Sequence, residues 1–296
     1  MIGGAQYYLG DLLSARRHLE RVLAHDAAPA QRRQFVRFQV DPWAGARAYL
    51  SRILWLQGLP EQAMRTAESS VADARAINHA MSLGNALAVA TCPVALWVGD
   101  LAAVEHHVDM LLDHSTRHEL GRWRAYGRCY QGLLVIQRGD VDAGLLLLRD
   151  ALAEPAAAKS AARLFSCVIS AASVHAGPIA DTLPAIKEAI ARPERTEERW
   201  LIAELLRIKG ELARMPGTEE AFVDAEDQFR QALELSRQQG ALSWELRAAT
   251  SLARLWRDQG RSKDAHALLT PVYDRFAEGF ATADLKAAKS LIEEMS

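Results

Sequence analysis

The sequence predicts an all-α protein, a right-handed α-solenoid of helical hairpins ended by a C-terminal capping helix, and three observations carry that expectation. Glycines recur at Gly10, Gly58, Gly99, Gly139, Gly177, Gly217 and Gly260, a period of about forty residues that fits a stacked array of helix pairs. Seven positions before each of them stands a small residue: Gly3, Ser51, Cys92, Gly132, Ser170, Gly210 and Ala253. Hydrophobic residues make up 50% of the 296, with alanine heavily used and few β-branched runs, a composition that favours packed helices over sheet.

The unit is clearest in Leu246 to Phe276, "LRAATSLARLWRDQGRSKDAHALLTPVYDRF". Gly260 marks the turn, because a helix commonly ends in a left-handed residue where a Cβ is penalised. Ala265, Leu269 and Val272 then share one face of the second helix and meet Ala253, where two helices can approach closely only across a small side chain. The Gly217 turn fits after an insertion of three residues, which brings Ala225 into the matching place.

In chain order, the first hairpin is truncated, with a short helix from Met1 to Leu9 and a full one from Asp11 to His25. Ile2, Tyr7, Tyr8, Leu9, Leu12 and Leu19 give this end an apolar face where a terminal repeat needs a polar one. A homodimer through the N-terminal hairpin is therefore expected, with frayed residues folding back over this end, or the loss of a covering segment, as the alternatives. A linker from Ala27 to Asp41 leads to helices at Pro42–Gln57 and Pro60–Asn78, with both prolines at first-turn positions.

The third hairpin is placed at His79–Val98 and Leu101–His118, with Pro93 expected to interrupt its first helix by removing a donor and crowding the carbonyl of Val89. The fourth is placed at Gly121–Arg138 and Val141–Glu154, and the fifth, rich in proline, at Lys159–Ala176 and Ile179–Ala191. The sixth spans Thr196–Arg214 and Glu219–Gln239, and the seventh Leu242–Gln259 and Ser262–Glu278. Thr282 caps a last helix to Met295 that is apolar on one side only, as a terminal cap should be. The whole, residues 1–296, reads as one repeat domain: 1–26 the truncated hairpin, 42–279 six hairpins, and 280–296 the cap.

The spacing small–x6–Gly–x4–Ala–x3–large–x2–small resembles the tetratricopeptide repeat, stretched from about 34 to about forty residues per unit. HEAT-like packing, with a similar period, is the close alternative, and it would take Gly210 and Ala253 away from the contact within the hairpin. The stretches "YLGDLLSARRHLERVLA", "RTEERWLIAELLRIKGEL" and "LLTPVYDRFAEGFATADLKAAKSLIEEM" are similar to the C-terminal repeat region of bacterial predicted ATPases, signal-transduction regulators that often carry an adenylyl-cyclase-like or DNA-binding domain. That resemblance implies a sensory or scaffolding arm. No G-x-x-x-x-G-K-[ST] loop occurs, so the ATPase activity does not carry over, and the chain is expected to be either a fragment or a free-standing derivative of such a regulator.

In a tetratricopeptide-like superhelix the first helix of each hairpin lines the concave groove, at positions thirteen, ten, six, three and two before the turn glycine. This count gives an apolar trough with Trp55, Val89, Leu96, Trp97, Tyr126, Leu133, Ile136 and Val174, and a basic end with Arg207, Arg214, Arg247, Arg254 and Arg257. The trough suits a peptide or helix, and guanidinium groups hold carboxylates or phosphates in a bidentate fork. The plainer reading pairs those arginines with Glu204, Glu211, Glu245 and Asp258 at helical spacing.

Four histidines in "EHHVDMLLDHSTRH" include His114 and His118 at zinc-ligand spacing, but a third ligand is missing from the face and a solvated convex surface is the expectation. No G-x-S-x-G or H-E-x-x-H motif occurs, so neither an enzyme nor a cofactor or metal is expected. Formal charge is −2 with signs interspersed, which disfavours nucleic acid as a direct ligand. Three cysteines, Cys92, Cys129 and Cys167, without a C-x-x-C pair fit a reducing, cytoplasmic setting. The longest apolar run, Ala86 to Val98, is broken by Thr91 and Pro93 and too short to span a bilayer. The functional expectation is a non-enzymatic module that binds a protein or peptide in its groove for a signalling or transcription regulator; the alternative is a domain that senses a small effector.

Overall fold

A computed structural model of the chain describes residues 2–25, 40–153 and 199–296. Among these are thirteen helices and no strand. In order they are α1 (Ile2–Leu9), α2 (Leu12–Ala24), α3 (Pro42–Leu56), α4 (Pro60–Ala76), α5 (Ala80–Val98), α6 (Leu101–Arg117), α7 (Gly121–Gln137), α8 (Val141–Ala153), α9 (Ile202–Ala213), α10 (Glu219–Gln239), α11 (Leu242–Asp258), α12 (Ser262–Tyr273) and α13 (Ala283–Glu294). They pair as hairpins, α1 with α2 through to α11 with α12, and the second helix of one hairpin packs on the first helix of the next wherever both are described. The expected fifth hairpin, the 27–39 part of the linker, Gly177, Cys167 and Val174 lie outside the described residues.

The turns explain the period. At Gly99, φ is +79°; its N–H donates to the carbonyl of Leu96 and the N–H of Asp100 donates to that of Ala95. This double closure satisfies carbonyls that the end of α5 would otherwise orphan. The same pair of bonds recurs at Gly10, Gly58, Gly139 and Gly260, each with positive φ. After three of these glycines an aspartate caps the next helix at once: Asp11 accepts from the Ser14 N–H, Asp100 from Ala103 and Asp140 from Ala143. At Gly217 only the first bond forms, and Thr218 caps α10 by accepting from Ala221.

The small residues mark the closest approach within a hairpin. A Cβ on Gly132 would lie 2.8 Å from the carbonyl oxygen of Gly144, and one on Gly210 would lie 2.5 Å from the ring of Phe229, both on the partner helix. Ser51, Cys92 and Ala253 are fully buried. The contact of Gly210 inside its own hairpin is the one tetratricopeptide-like packing requires. Cys92 and Cys129 are buried, and burial pushes the Cys92 thiol up out of the reactive range.

Three expectations change in detail. In α5, residues Ala86–Thr91 form a π-helical stretch directly before Pro93, and the Cys92 N–H reaches back to the carbonyl of Leu87. The missing proline donor is thus absorbed by a wider turn. By length and composition this helix could cross a membrane, but 67% of its most apolar window is buried against neighbouring hairpins. In the sixth hairpin the described helix starts at Ile202, and Arg199 and Trp200, expected within it, turn their N–H groups to the carbonyl of Tyr8, while the 196–198 part of the expected helix lies outside the described residues. The closing helix of the seventh stops at Tyr273 instead of Glu278, with Pro271 in its last turn unable to donate.

The expected bare N-terminal end is also corrected. Tyr7, Leu12 and Leu19 are buried to 2% exposure or less, and the cover on Tyr7 comes from this chain's own Trp200, whose ring centroid lies 5.0 Å away. Ile2, Leu9 and Leu13 stay exposed, a smaller apolar face than the one that led to the expectation of a homodimer. At the other end α13 caps the array, burying Leu285, Ala288 and Leu291.

The histidine run departs from its solvated reading as well. His107 and His114 share the inward face of α6 with Val104, Val108 and Leu111, a spacing that repeats every turn or two. Nε2 of His114 lies 2.9 Å from the carbonyl oxygen of Ala80, while Nδ1 of His107 has no partner. Burial lowers the His107 pKa to about 4, helped by the neighbouring His106.

Two outcomes are expected. Gly132→Ala should destabilise by about 1–3 kcal/mol although alanine is the better helix former by about 1 kcal/mol, seen as a lower urea midpoint; a higher midpoint would show that the hairpin has room to give. The buried neutral His107 contributes stability that is complete above the ordinary histidine pKa of about 6.5 and is lost as pH falls towards about 4, because the unfolded chain takes up the proton first. His107→Leu should therefore reduce the loss of stability between pH 7 and pH 4.5 by about 3 kcal/mol at most, and an unchanged pH slope would contradict the burial.

Candidate functional site on the inner face

The residues that count as inward on the first helices do meet, but many of them meet each other. Trp55 at the end of α3 stands 4.7 Å from Trp97 of α5 and 4.8 Å from Trp244 of α11, centroid to centroid, and Trp97 stands 6.3 Å from Trp200. Trp55, Trp200 and Trp244 are at most 5% exposed. The second and third hairpins are thereby joined to the sixth and seventh, so the solenoid closes on itself along a seam.

Polar groups complete the seam. Ser243 donates its hydroxyl to the carbonyl of Trp55. The Glu278 carboxylate accepts from the N–H groups of Glu61 and Gln62, both at 2.9 Å, while Glu61 accepts from the N–H of Gly279. Helix α4 has no side-chain cap of its own at Leu59, so an acid from the far end of the chain takes that role and meets the positive end of the helix. Leaving α12 early is what frees Glu278 to do this.

Of the apolar groove candidates, Trp55, Leu96 and Leu133 are buried, and Val89, Trp97, Tyr126 and Ile136 are half-buried. Val89 and Trp97 pack into the seam cluster. Tyr126, Leu133 and Ile136 lie together on α7, with the exposed Arg122 guanidinium 6.0 Å from the Tyr126 ring centroid. Val174 falls outside the described residues.

The basic candidates are mostly neutralised. Arg207 grips the buried Glu204 through Nε and Nη2 at 2.8 and 2.9 Å, and Arg247 bonds Glu204 at 3.2 Å and Asp284 at 2.7 Å. Arg214 pairs with Glu211, and Arg257 with Asp258 and Glu294. Arg254 is exposed and makes no ion pair among the described residues. Burial alone would raise the Glu204 pKa, but Arg207 and Arg247 more than reverse that and hold it below the usual carboxylate range. Glu245, 2% exposed, is similarly shared by Arg237 and Arg275. Of the pairs at helical spacing, Arg207 with Glu204 and Arg214 with Glu211 are formed, while Arg247 and Arg257 take acids of other helices or of the next residue.

Arg52 is the residue that the sequence reading passed over. It stands six places before Gly58, on the same inward count as Leu133, and only 7% of it is exposed. Its Cζ lies 4.6 Å from the ring centroid of Trp200, 4.9 Å from Tyr7 and 5.4 Å from Trp97. Arginine six before a turn glycine was a readable signal. What could not be read was the set of rings around it, since Trp200 arrives from across the seam. No cluster of three or more potential metal ligands occurs among the described residues.

No family model matches the chain, and no curated protein does. Among solved structures it is similar to the crystal structure of yeast Tom70, with a TM-score of 0.50 and 13% sequence identity over 96% of this chain. The alignment covers 58% of the Tom70 chain, so this chain spans well under two thirds of that neighbour. At such identity the likeness bears on fold alone. Tom70 is a helical protein of tetratricopeptide repeats, and the chain described here is an all-α solenoid of tetratricopeptide-like hairpins.

Proposed function

We propose that the chain is a non-enzymatic binding module, the repeat arm of a bacterial signalling or transcription regulator in the cytoplasm, which holds a protein or peptide on its inner face without itself contacting nucleic acid or membrane. The observation that carries this reading is the face of α7. Tyr126 and Ile136 remain partly exposed beside the buried Leu133. An aromatic and an aliphatic anchor on a rigid helix, flanked by the exposed Arg122, is the composition that protein interfaces favour. The fold supports the same conclusion, since stacked hairpins present one long surface and little enclosed space. A second reading, sensing of a small effector, is favoured by the buried charge of Arg52 inside its aromatic box.

Affinity capture from the source cell separates these from a structural role. A discrete set of proteins should be recovered by the wild type and fall at least tenfold with Tyr126→Glu, Ile136→Glu, provided the double variant keeps the wild-type circular dichroism and melting temperature. Equal recovery by both would contradict binding at this face.

A further inference from the structure

Three arginines are sunk into the inner face, and two of them are answered. Arg207 and Arg247 share the Glu204 carboxylate, with Glu211 and Asp284 beside them. Among the described residues Arg52 has no carboxylate, and its Nε, shielded from solvent, has no acceptor. Ring faces of Tyr7, Trp97 and Trp200 attract the flat of a guanidinium, but a ring face gives the in-plane Nε–H no acceptor. Burying a charge in that condition is costly unless something of opposite sign completes it.

The surroundings say what would complete it. Tyr7, Tyr8, Tyr49 and Tyr130 act electrostatically on Arg52, and none of the four is a carboxylate. The Tyr130 hydroxyl is spent on the carbonyl of Ala88 at 2.8 Å. Tyr8 and Tyr49 hold their hydroxyl oxygens 3.4 Å apart, a bond that uses one O–H and leaves the other available as a donor. A guanidinium fork next to a spare phenol O–H is a receptor for a planar oxyanion. The walls are aromatic, which suits a flat apolar body behind the anionic group. With 7% of Arg52 exposed, the ligand must be small enough to be enclosed, which excludes a folded partner.

We propose that Arg52, boxed by Tyr7, Trp97 and Trp200 with Tyr8 and Tyr49 nearby, is the anchor of a binding site for a small aromatic oxyanion, a carboxylate or a phosphate monoester. Tyr7, Trp97 and Arg52 belong to the first three hairpins, while Trp200 enters from the sixth, so an occupied site ties the two sides of the seam together. The site is independent of the peptide-binding reading and gives the effector-sensing one its ligand class.

The test uses the full chain with benzoate as the carboxylate probe and phenyl phosphate as the phosphate probe, each against sodium chloride at matched ionic strength. One or both should raise the melting temperature saturably, as ligands that bind only the folded state do, with a parallel change in tryptophan emission. Whichever probe acts names the anion class. The exposed Arg149 has no role in the groove, so Arg149→Gln should respond as the wild type does, and Arg52→Met should not respond. If Arg52→Met fails to fold, Arg52→Lys keeps the charge without the fork and should weaken the apparent affinity at least tenfold. The proposal is overturned if neither probe acts beyond chloride on the wild type, if Arg52→Met responds equally, or if Arg52→Lys binds as tightly as the wild type.

Discussion

Tyr7 against Trp200, and Trp55 between Trp97 and Trp244, form the contact on which the arrangement of the hairpins depends. A solenoid is held locally, each repeat by its neighbours, and nothing in that principle joins its two ends. Here the ends are joined by aromatic faces and by backbone groups that have no other partner. The Tyr8 carbonyl accepts from Arg199 and Trp200, and the start of α4 is capped by Glu278. Remove the seam and these groups, together with the side chain of Tyr7, lose their cover at once.

Charge is distributed to match. Behind the seam, buried carboxylates and arginines neutralise one another in pairs and triplets around Glu204 and Glu245, and burial without such partners would be prohibitive. These networks fix how α9 sits on α11 and how α13 sits on α11 through Asp284 and Glu294. Among the described residues they leave the outward chemistry of the inner face to a few, Tyr126, Ile136 and Arg254 on the open part and Arg52 within the box. A groove counted from the repeat contains all of these positions, but it cannot tell which are already spent.

The fold was legible because its determinants are local. A left-handed glycine, a small residue seven before it and an apolar stripe after it act within one hairpin, and the aspartate that follows Gly10, Gly99 and Gly139 was an additional capping signal in plain view. What escaped the sequence was what acts at long range. Trp200 and Tyr7 are far apart in the chain, and neither stands in a pattern that points to the other. The same limit explains the sixth hairpin, where Arg199 and Trp200, which read as helical, are held by the carbonyl of Tyr8. His107 and His114 escape for a nearer reason: a polar run suggests one solvated face, whereas their spacing puts them in register with Val104 and Leu111.

A double-mutant cycle on Tyr7 and Trp200 tests the closed solenoid most directly, because those rings touch only if the first hairpin and the entry to α9 meet. Tyr7→Leu, Trp200→Leu and the double variant would be unfolded in urea and compared with the wild type. The seam predicts a coupling energy of about 0.5–1.5 kcal/mol, the range for an aromatic pair in contact. Strictly additive losses, with no coupling, would mean that the two ends of the solenoid stand apart.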